Sequence, residues 1–169
     1  NLMNHNAGWS ENVWAFQTVN EEEIKSLGEI LQETEPVQVY RPGEVSSYSN
    51  YGAALAGYIV ECITGQSFHE YVHENIFEPL GMEHTSLLPA HNDNEWVYAQ
   101  RPKTVCYVDT GAGWESVGPQ IMYVMPYPAG AATGTISDMA IYAGSLARKD
   151  CPLFENPETR EFLFSPSAT

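Results

Sequence analysis

Two short stretches of the chain combine residue types that could do chemistry. The first is Tyr48-Ser49-Asn50, where a phenol and an amide two positions apart stand just before an apolar run beginning at Ala53. At a turn-to-helix junction such a Tyr-x-Asn aims a hydroxyl and a carboxamide in one direction. A phenol becomes a useful base only when a neighbouring cation brings its pKa down from about 10, which to reach neutrality needs roughly 4 kcal/mol of differential stabilisation. The second is His69-Glu70-Tyr71-Val72-His73, an HExxH pattern that can place two imidazoles on one helix face with a base between them, and Glu95 lies downstream as a third zinc ligand would. Against zinc, the histidines flank the apolar positions Phe68, Val72 and Ile76 on a helix of about three turns, where packed or surface histidines are ordinary.

The elements that must position these residues are mostly helices. Asn20-Glu21-Glu22-Glu23 reads as an N-cap and capping-box carboxylate for a helix carrying Ile24, Leu27, Ile30 and Leu31, ended by Pro36. Arg41-Pro42-Gly43-Glu44 is a turn. A second helix is expected from Asn50 to Thr64 with Gly65 at C′. It is apolar almost all round and so expected to be buried, with Cys62 as a small buried hydrophobe. Ser49 before it reads as a helix-cap hydroxyl rather than a nucleophile. Ser67 caps a third helix through Phe68, Val72, Ile76 and Phe77, stopped at Pro79-Leu80-Gly81-Met82. From Trp96 to Tyr127 the period shortens, and Val105, Tyr107, Ile121 and Tyr123 around Gly111-Ala112-Gly113 predict a hairpin. Ser137-Asp138 opens a fourth helix to about Arg148, and Asn156-Pro157-Glu158 opens a last one with Pro at N1.

One segment after another resembles the family of class C β-lactamases, penicillin-binding proteins, D-alanyl-D-alanine carboxypeptidases and esterases. The resemblance rests on Arg41-Pro42-Gly43, Tyr48-Ser49-Asn50-Tyr51-Gly52, Leu55-Ala56-Gly57-Tyr58-Ile59, Thr64-Gly65, Pro79-Leu80-Gly81-Met82 and Thr85 in one order and spacing. Leu2 to Gly8 is similar to the family's His-Thr-Ser-Gly segment, with Asn6-Ala7 in place of Thr-Ser. Pro128-Ala129-Gly130 and Ser137-Asp138-Met139 resemble its later loop and helix. The family acylates a serine in Ser-x-x-Lys, shares proton transfer between that lysine and the tyrosine of Tyr-x-Asn, and completes the oxyanion site with a Lys-Thr-Gly or His-x-Gly strand. The resemblance therefore implies a catalytic base position at Tyr48 and a substrate amide position at Asn50, with no cofactor and no metal.

The departures carry as much information. No serine here is followed at +3 by lysine; the lysines are Lys25, Lys103 and Lys149, and Lys103-Thr104 continues to Val105. The expectation is a central piece of such an enzyme, mainly α with a small β-hairpin: the helical subdomain of the β-lactamase/transpeptidase-like α/β fold. Without a nucleophile it is expected to be inactive alone. Its substrates in the whole protein would be β-lactams, D-Ala-D-Ala peptides or esters, and its cut face would expose apolar surface that pairs two copies.

Composition bounds the rest. With 22 acidic and 7 basic residues the net charge is −15, which disfavours nucleic acid and anionic lipid. Three cysteines without CxxC spacing argue against a disulfide framework or a zinc ribbon. No stretch reaches the ~18–20 apolar residues of a membrane span, and Asn1 to His5 carry no signal-peptide pattern. An extracytoplasmic location follows only from the resemblance. Pro128 to Gly134 reads as a flexible Gly-rich loop without the Lys-Ser/Thr of a phosphate site. A non-catalytic recognition or lid module is the rival reading, for which the Trp9, Trp14, Trp96 and Trp114 set could bind sugars or peptides, although core packing or capping of a cut interface fits them better.

Overall fold

The computed structural model describes residues 1–11, 13–119 and 122–165, with the side chains of residues 13 and 14 left aside. In chain order its elements are β1 (Gln17–Thr18), α1 (Leu27–Glu33), α2 (Asn50–Thr64), α3 (Phe68–Val72), a π-helical turn (His73–Phe77), α4 (Glu78–Leu80), β2 (Thr85–Ser86), α5 (Glu95–Gln100), β3 (Cys106–Asp109), β4 (Trp114–Gly118), β5 (Tyr123–Val124), β6 (Thr133–Gly134), α6 (Ile136–Ala147) and α7 (Pro157–Leu163). The strands form three two-stranded antiparallel ladders, β1 with β5, β2 with β6, and the hairpin β3–β4. Mainly helical with one small hairpin is thus the observed class.

The core gathers Leu27, Ile30 and Leu31 of α1, Tyr51 and Ala54 of α2, Val72 and Phe77 of the next helix, and Met125 and Tyr127 from the stretch after β5. Gly57 lets α2 approach this layer, because a Cβ there would meet the Pro128 ring at 2.6 Å. Residues 1–11 are fastened by Gly8, whose carbonyl accepts from Val39 and Tyr40 while Ser10 donates to Val37. Its φ is +83° and a Cβ would fall 2.2 Å from the Tyr40 carbonyl oxygen, so only glycine fits.

Several sequence expectations need correction. The first helix begins at Leu27, not near Asn20. Residues Glu21–Glu23 make one 3₁₀ turn, and Asn20 donates its amide to the Glu23 carboxylate instead of capping. Ser26 and Glu29 form the reciprocal capping box that wins, satisfying two N-terminal N–H groups at once. Helix α2 has the expected bounds and a left-handed Gly65, but it is buried along one face only. Ile59 is 42% and Ile63 79% exposed, and Cys62 is exposed rather than a core residue, because α1, α3 and the Tyr127–Ala129 turn contact α2 on one side. The third helix continues through Pro79 by widening into the π turn, and left-handed Gly81 stops it.

Trp96 belongs to α5, so the change of period starts later, and the hairpin is confined to β3 and β4. Tyr123 pairs with Thr18 instead of joining it, and Ile121 lies outside the described residues. Helix α6 begins at Ile136, capped by Thr135 rather than Ser137. Its burial is inverted: Asp138 and Ser145 face inward, while Ile136 and Met139 are 83% and 55% exposed. Asp138 accounts for the inward polar side, accepting from the His84 N–H and the Thr85 hydroxyl, each at 2.8 Å. Among the described residues no helix is long and apolar enough to cross a membrane.

Candidate active-site wall at the start of α2

Tyr48, Ser49 and Asn50 enter α2 as one unit. Ser49 is its N-cap, in extended backbone, and its hydroxyl accepts from Gly52 N–H at 2.9 Å. This is the cap role expected for it. Tyr48 Oη donates to Asn50 Oδ1 at 3.1 Å, so the phenol and the amide are brought together. Tyr48 is 62% exposed, with its hydroxyl tethered but its ring not buried.

Two residues that sequence reasoning did not single out hold this unit from behind. The Glu11 carboxylate accepts from the Asn50 backbone N–H at 3.1 Å and from Asn50 Nδ2 at 3.0 Å, across 39 positions of sequence. His5 stacks on the Tyr48 ring, with centroids 4.5 Å apart and planes at 30°. Its Nδ1 accepts from the Ser49 N–H at 3.2 Å, and its carbonyl accepts from the Ser47 N–H at 2.7 Å. With Nδ1 as acceptor the neutral ring carries its proton on Nε2. His5 has a φ of +52°, in the left-handed region that non-glycine residues seldom enter. A signal for His5 stood in the His-Thr-Ser-Gly-like segment; Glu11 had none.

Asn50 opens into a cleft of about 160 Å³ whose other walls include Phe16, Gln17, Val124, Pro126, Ala129 and Gly130. The far wall is tied to α2 by a hydrogen bond. The Tyr127–Ala129 segment is a 3₁₀ turn, and the buried Tyr127 hydroxyl donates to Glu61 Oε1 at 2.7 Å. Burial, and then the Glu61 carboxylate, push the Tyr127 phenol well above the ordinary range, so it stays a donor. The same Glu61 oxygen accepts from the Phe68 N–H at 2.8 Å. One carboxylate thereby joins α2, α3 and the cleft wall.

The HExxH residues are spent differently. Glu70 closes a capping box with Ser67. His69 lies edge-on to Tyr127 at 6.4 Å. His73 Nε2 pairs with Asp93 Oδ2 at 3.0 Å. Asp93 also accepts from the Leu87 N–H at 2.8 Å and from the Ser86 hydroxyl. Burial alone would raise the Asp93 pKa, but the Leu87 N–H, the Ser86 hydroxyl and the His73 ring together hold it below the usual carboxylate range. Glu95 stands at the first turn of α5. Among the described residues no three His, Cys, Asp or Glu side chains are placed to share a metal ion. Of the tryptophans, Trp9 packs edge-on against Tyr51 at 5.0 Å, while Trp96 and Trp114 are 45% and 72% exposed. The Trp14 side chain lies outside the described residues.

A phenol and a carboxamide stand together at a helix start whose Asn50 lines a cleft, and the beta-lactamase family model matches residues 1–163. The chain belongs to the beta-lactamase family. It is 38% identical over 80 residues to a probable hydrolase of Cochliobolus lunatus, covering 47% of this chain and 13% of that protein. To a putative D-alanyl-D-alanine carboxypeptidase of Escherichia coli it is 46% identical over 50 residues, 30% of this chain and 12% of that one. Among solved structures, the octameric penicillin-binding protein homologue from Pyrococcus abyssi shares the fold at TM-score 0.71 and 23% identity, over 95% of this chain and 36% of that one. A D-amino acid amidase from Ochrobactrum anthropi does so at TM-score 0.67 and 23% identity, over 91% of this chain and 46% of that one. This beta-lactamase-family chain therefore spans less than half the length of these relatives.

Proposed function

We propose that residues 1–169 form one wall of the active site of a serine hydrolase that works through an acyl-enzyme, with Tyr48 in the base position and Asn50 in the substrate amide position. The observation that carries this reading is the contact of Tyr48 with Asn50, which itself lines the cleft. Of the Asn50 amide, one N–H is taken by Glu11 and one lone pair by Tyr48. One donor and one acceptor remain, the complement of a substrate amide or ester carbonyl and its neighbouring N–H. Substrates would be β-lactams, D-Ala-D-Ala peptides or esters, and a place in the cell envelope goes with that class.

The nucleophile and the oxyanion strand are assigned to other parts of the whole protein, since this sequence holds no Ser-x-x-Lys and no Lys-Thr-Gly or His-x-Gly. The inverted α6, with Ile136 and Met139 turned outward, fits a helix packed in the whole protein against further chain. Residues 1–169 made alone should therefore acylate nothing and should pair through that face. A monomer in light scattering at high concentration would remove the pairing.

The test is intact-mass spectrometry of the whole protein and of residues 1–169, each incubated with benzylpenicillin and with a fluorophosphonate. One adduct on the whole protein alone, on a serine outside residues 1–169, is expected. An adduct on the 169-residue chain would overturn the assignment of the nucleophile. No adduct on either would overturn the acyl-enzyme.

A further inference from the structure

We propose that Glu11 is a positioning residue for the acyl-transfer site, setting the direction of the Tyr48–Asn50 hydrogen bond; this rests on the reading of that site given above. An ionised carboxylate can only accept hydrogen bonds. The side of the Asn50 amide that meets Glu11 at 3.0 Å must therefore be the NH₂ group. Its Oδ1 is then turned toward Tyr48, and the phenol has to donate. Without Glu11 nothing in this contact forbids the amide from rotating by half a turn. It would then present NH₂ to the phenol, and the phenol would become the acceptor.

Helix capping accounts for only one of the two Glu11 bonds, the one to the Asn50 backbone N–H, and not for the one to the side-chain amide. Ser49 already serves as the N-cap by accepting from Gly52 N–H. Glu11 adds a pair of bonds, one to the backbone and one to the side chain of the same residue, which fixes both the position and the rotation of Asn50. His5 fixes the neighbouring coordinate. It holds the backbone on both sides of Tyr48, through Ser47 and Ser49, and covers one face of its ring. Both residues arrive on the segment that Gly8 pins to Val39 and Tyr40. Two side chains far apart in sequence from the motif, Glu11 and His5, thus meet at one end of α2, and each constrains a group the acyl-transfer chemistry would use.

The direction of this bond decides what the cleft offers a substrate. With Glu11 in place, the unspent groups of Asn50 are one N–H on the Glu11 side and one lone pair on the Tyr48 side. With the amide reversed, the donor and acceptor exchange places and a substrate amide meets like against like. A misplacement of this size costs acyl transfer on the order of 10–100-fold.

The experiment uses the whole protein labelled with ¹⁵N at asparagine, the Asn50 NH₂ pair being identified by its loss in Asn50→Asp. In the wild type that pair should be displaced and slow to exchange. In Glu11→Ala it should move to the position of a free amide, with benzylpenicillin acylation slowed on the order of 10–100-fold. Glu11→Asp, which keeps the carboxylate, should restore most of both. An Asn50 pair at the same position in wild type and Glu11→Ala overturns the proposal, as does a moved pair with acylation unchanged. If the wild type takes no benzylpenicillin, the acyl-transfer reading fails separately, and the amide pair alone decides whether Glu11 orients Asn50.

Discussion

The start of α2 and the helix beginning at α3 both carry residues that look catalytic in the sequence, yet the fold treats them in opposite ways. At α2, Glu11 and His5 hold Tyr48 and Asn50 from behind and leave polar capacity on Asn50 facing a cleft. At α3, Glu70 is used on its own cap and His73 on Asp93, while His69 Nδ1 is buried without a hydrogen-bond partner among the described residues. A motif can act only through the atoms that folding leaves unspent. The unspent groups of Asn50 face a cleft, whereas the unspent His69 nitrogen is buried, and that separates the two sites where residue type and spacing do not.

The contrast can be broken or sharpened by substitution. The largest expected effect is on chemistry. Tyr48→Phe in the whole protein should slow benzylpenicillin acylation by about 10²–10⁴-fold, the usual range for a lost general acid–base group, with the melting temperature little changed. The double variant His69→Ala/His73→Ala should acylate within a few-fold of wild type, and a loss as deep as that of Tyr48→Phe would erase the distinction between the sites.

Next comes the segment that delivers Glu11 and His5. Gly8→Ala forces a Cβ into the Tyr40 carbonyl at a φ of +83°. Strain there should cost on the order of 3 kcal/mol, a fall in melting temperature of roughly 6–12 °C for a chain of this size. A thermal melt by circular dichroism reads it directly, and an unchanged midpoint would mean that residues 1–11 are not fastened as described.

The smallest effect sharpens the other region. The folded state holds the Asp93 carboxyl below the usual range, so the native protein binds this proton less readily than the unfolded chain. Its stabilising contribution is then present above the ordinary aspartate pKa of about 4 and is lost as pH falls through the lower folded value. Denaturant melts between pH 7 and pH 3 should therefore show stability falling toward acid, with a shallower fall in Asp93→Asn. Equal slopes in the two proteins would contradict the role given to Asp93.

Much of this could be read from the chain before any coordinates. Helix α2 was legible, ends included, because Ser49, an apolar run and Gly65 mark them by local chemistry. That the Tyr48 and Asn50 side chains would point together was legible because both belong to one short motif. The start of α1 was not, since Asn20 with Glu23 and Ser26 with Glu29 offer two similar caps and only the second satisfies both N–H groups. The face of α6 could not be read either: Asp138 points inward because His84 and Thr85 supply its donors from far along the chain. Glu11 was illegible for the same reason, as its importance lies wholly in a contact across 39 residues.

The most direct test of the account is a crystal structure of the whole protein acylated by benzylpenicillin. Tyr48 Oη should lie within hydrogen-bond reach, about 3 Å, of the acylated serine oxygen, with Asn50 facing the ligand's side-chain amide. A ligand seated away from α2, with Tyr48 and Asn50 touching neither it nor the serine, would contradict it.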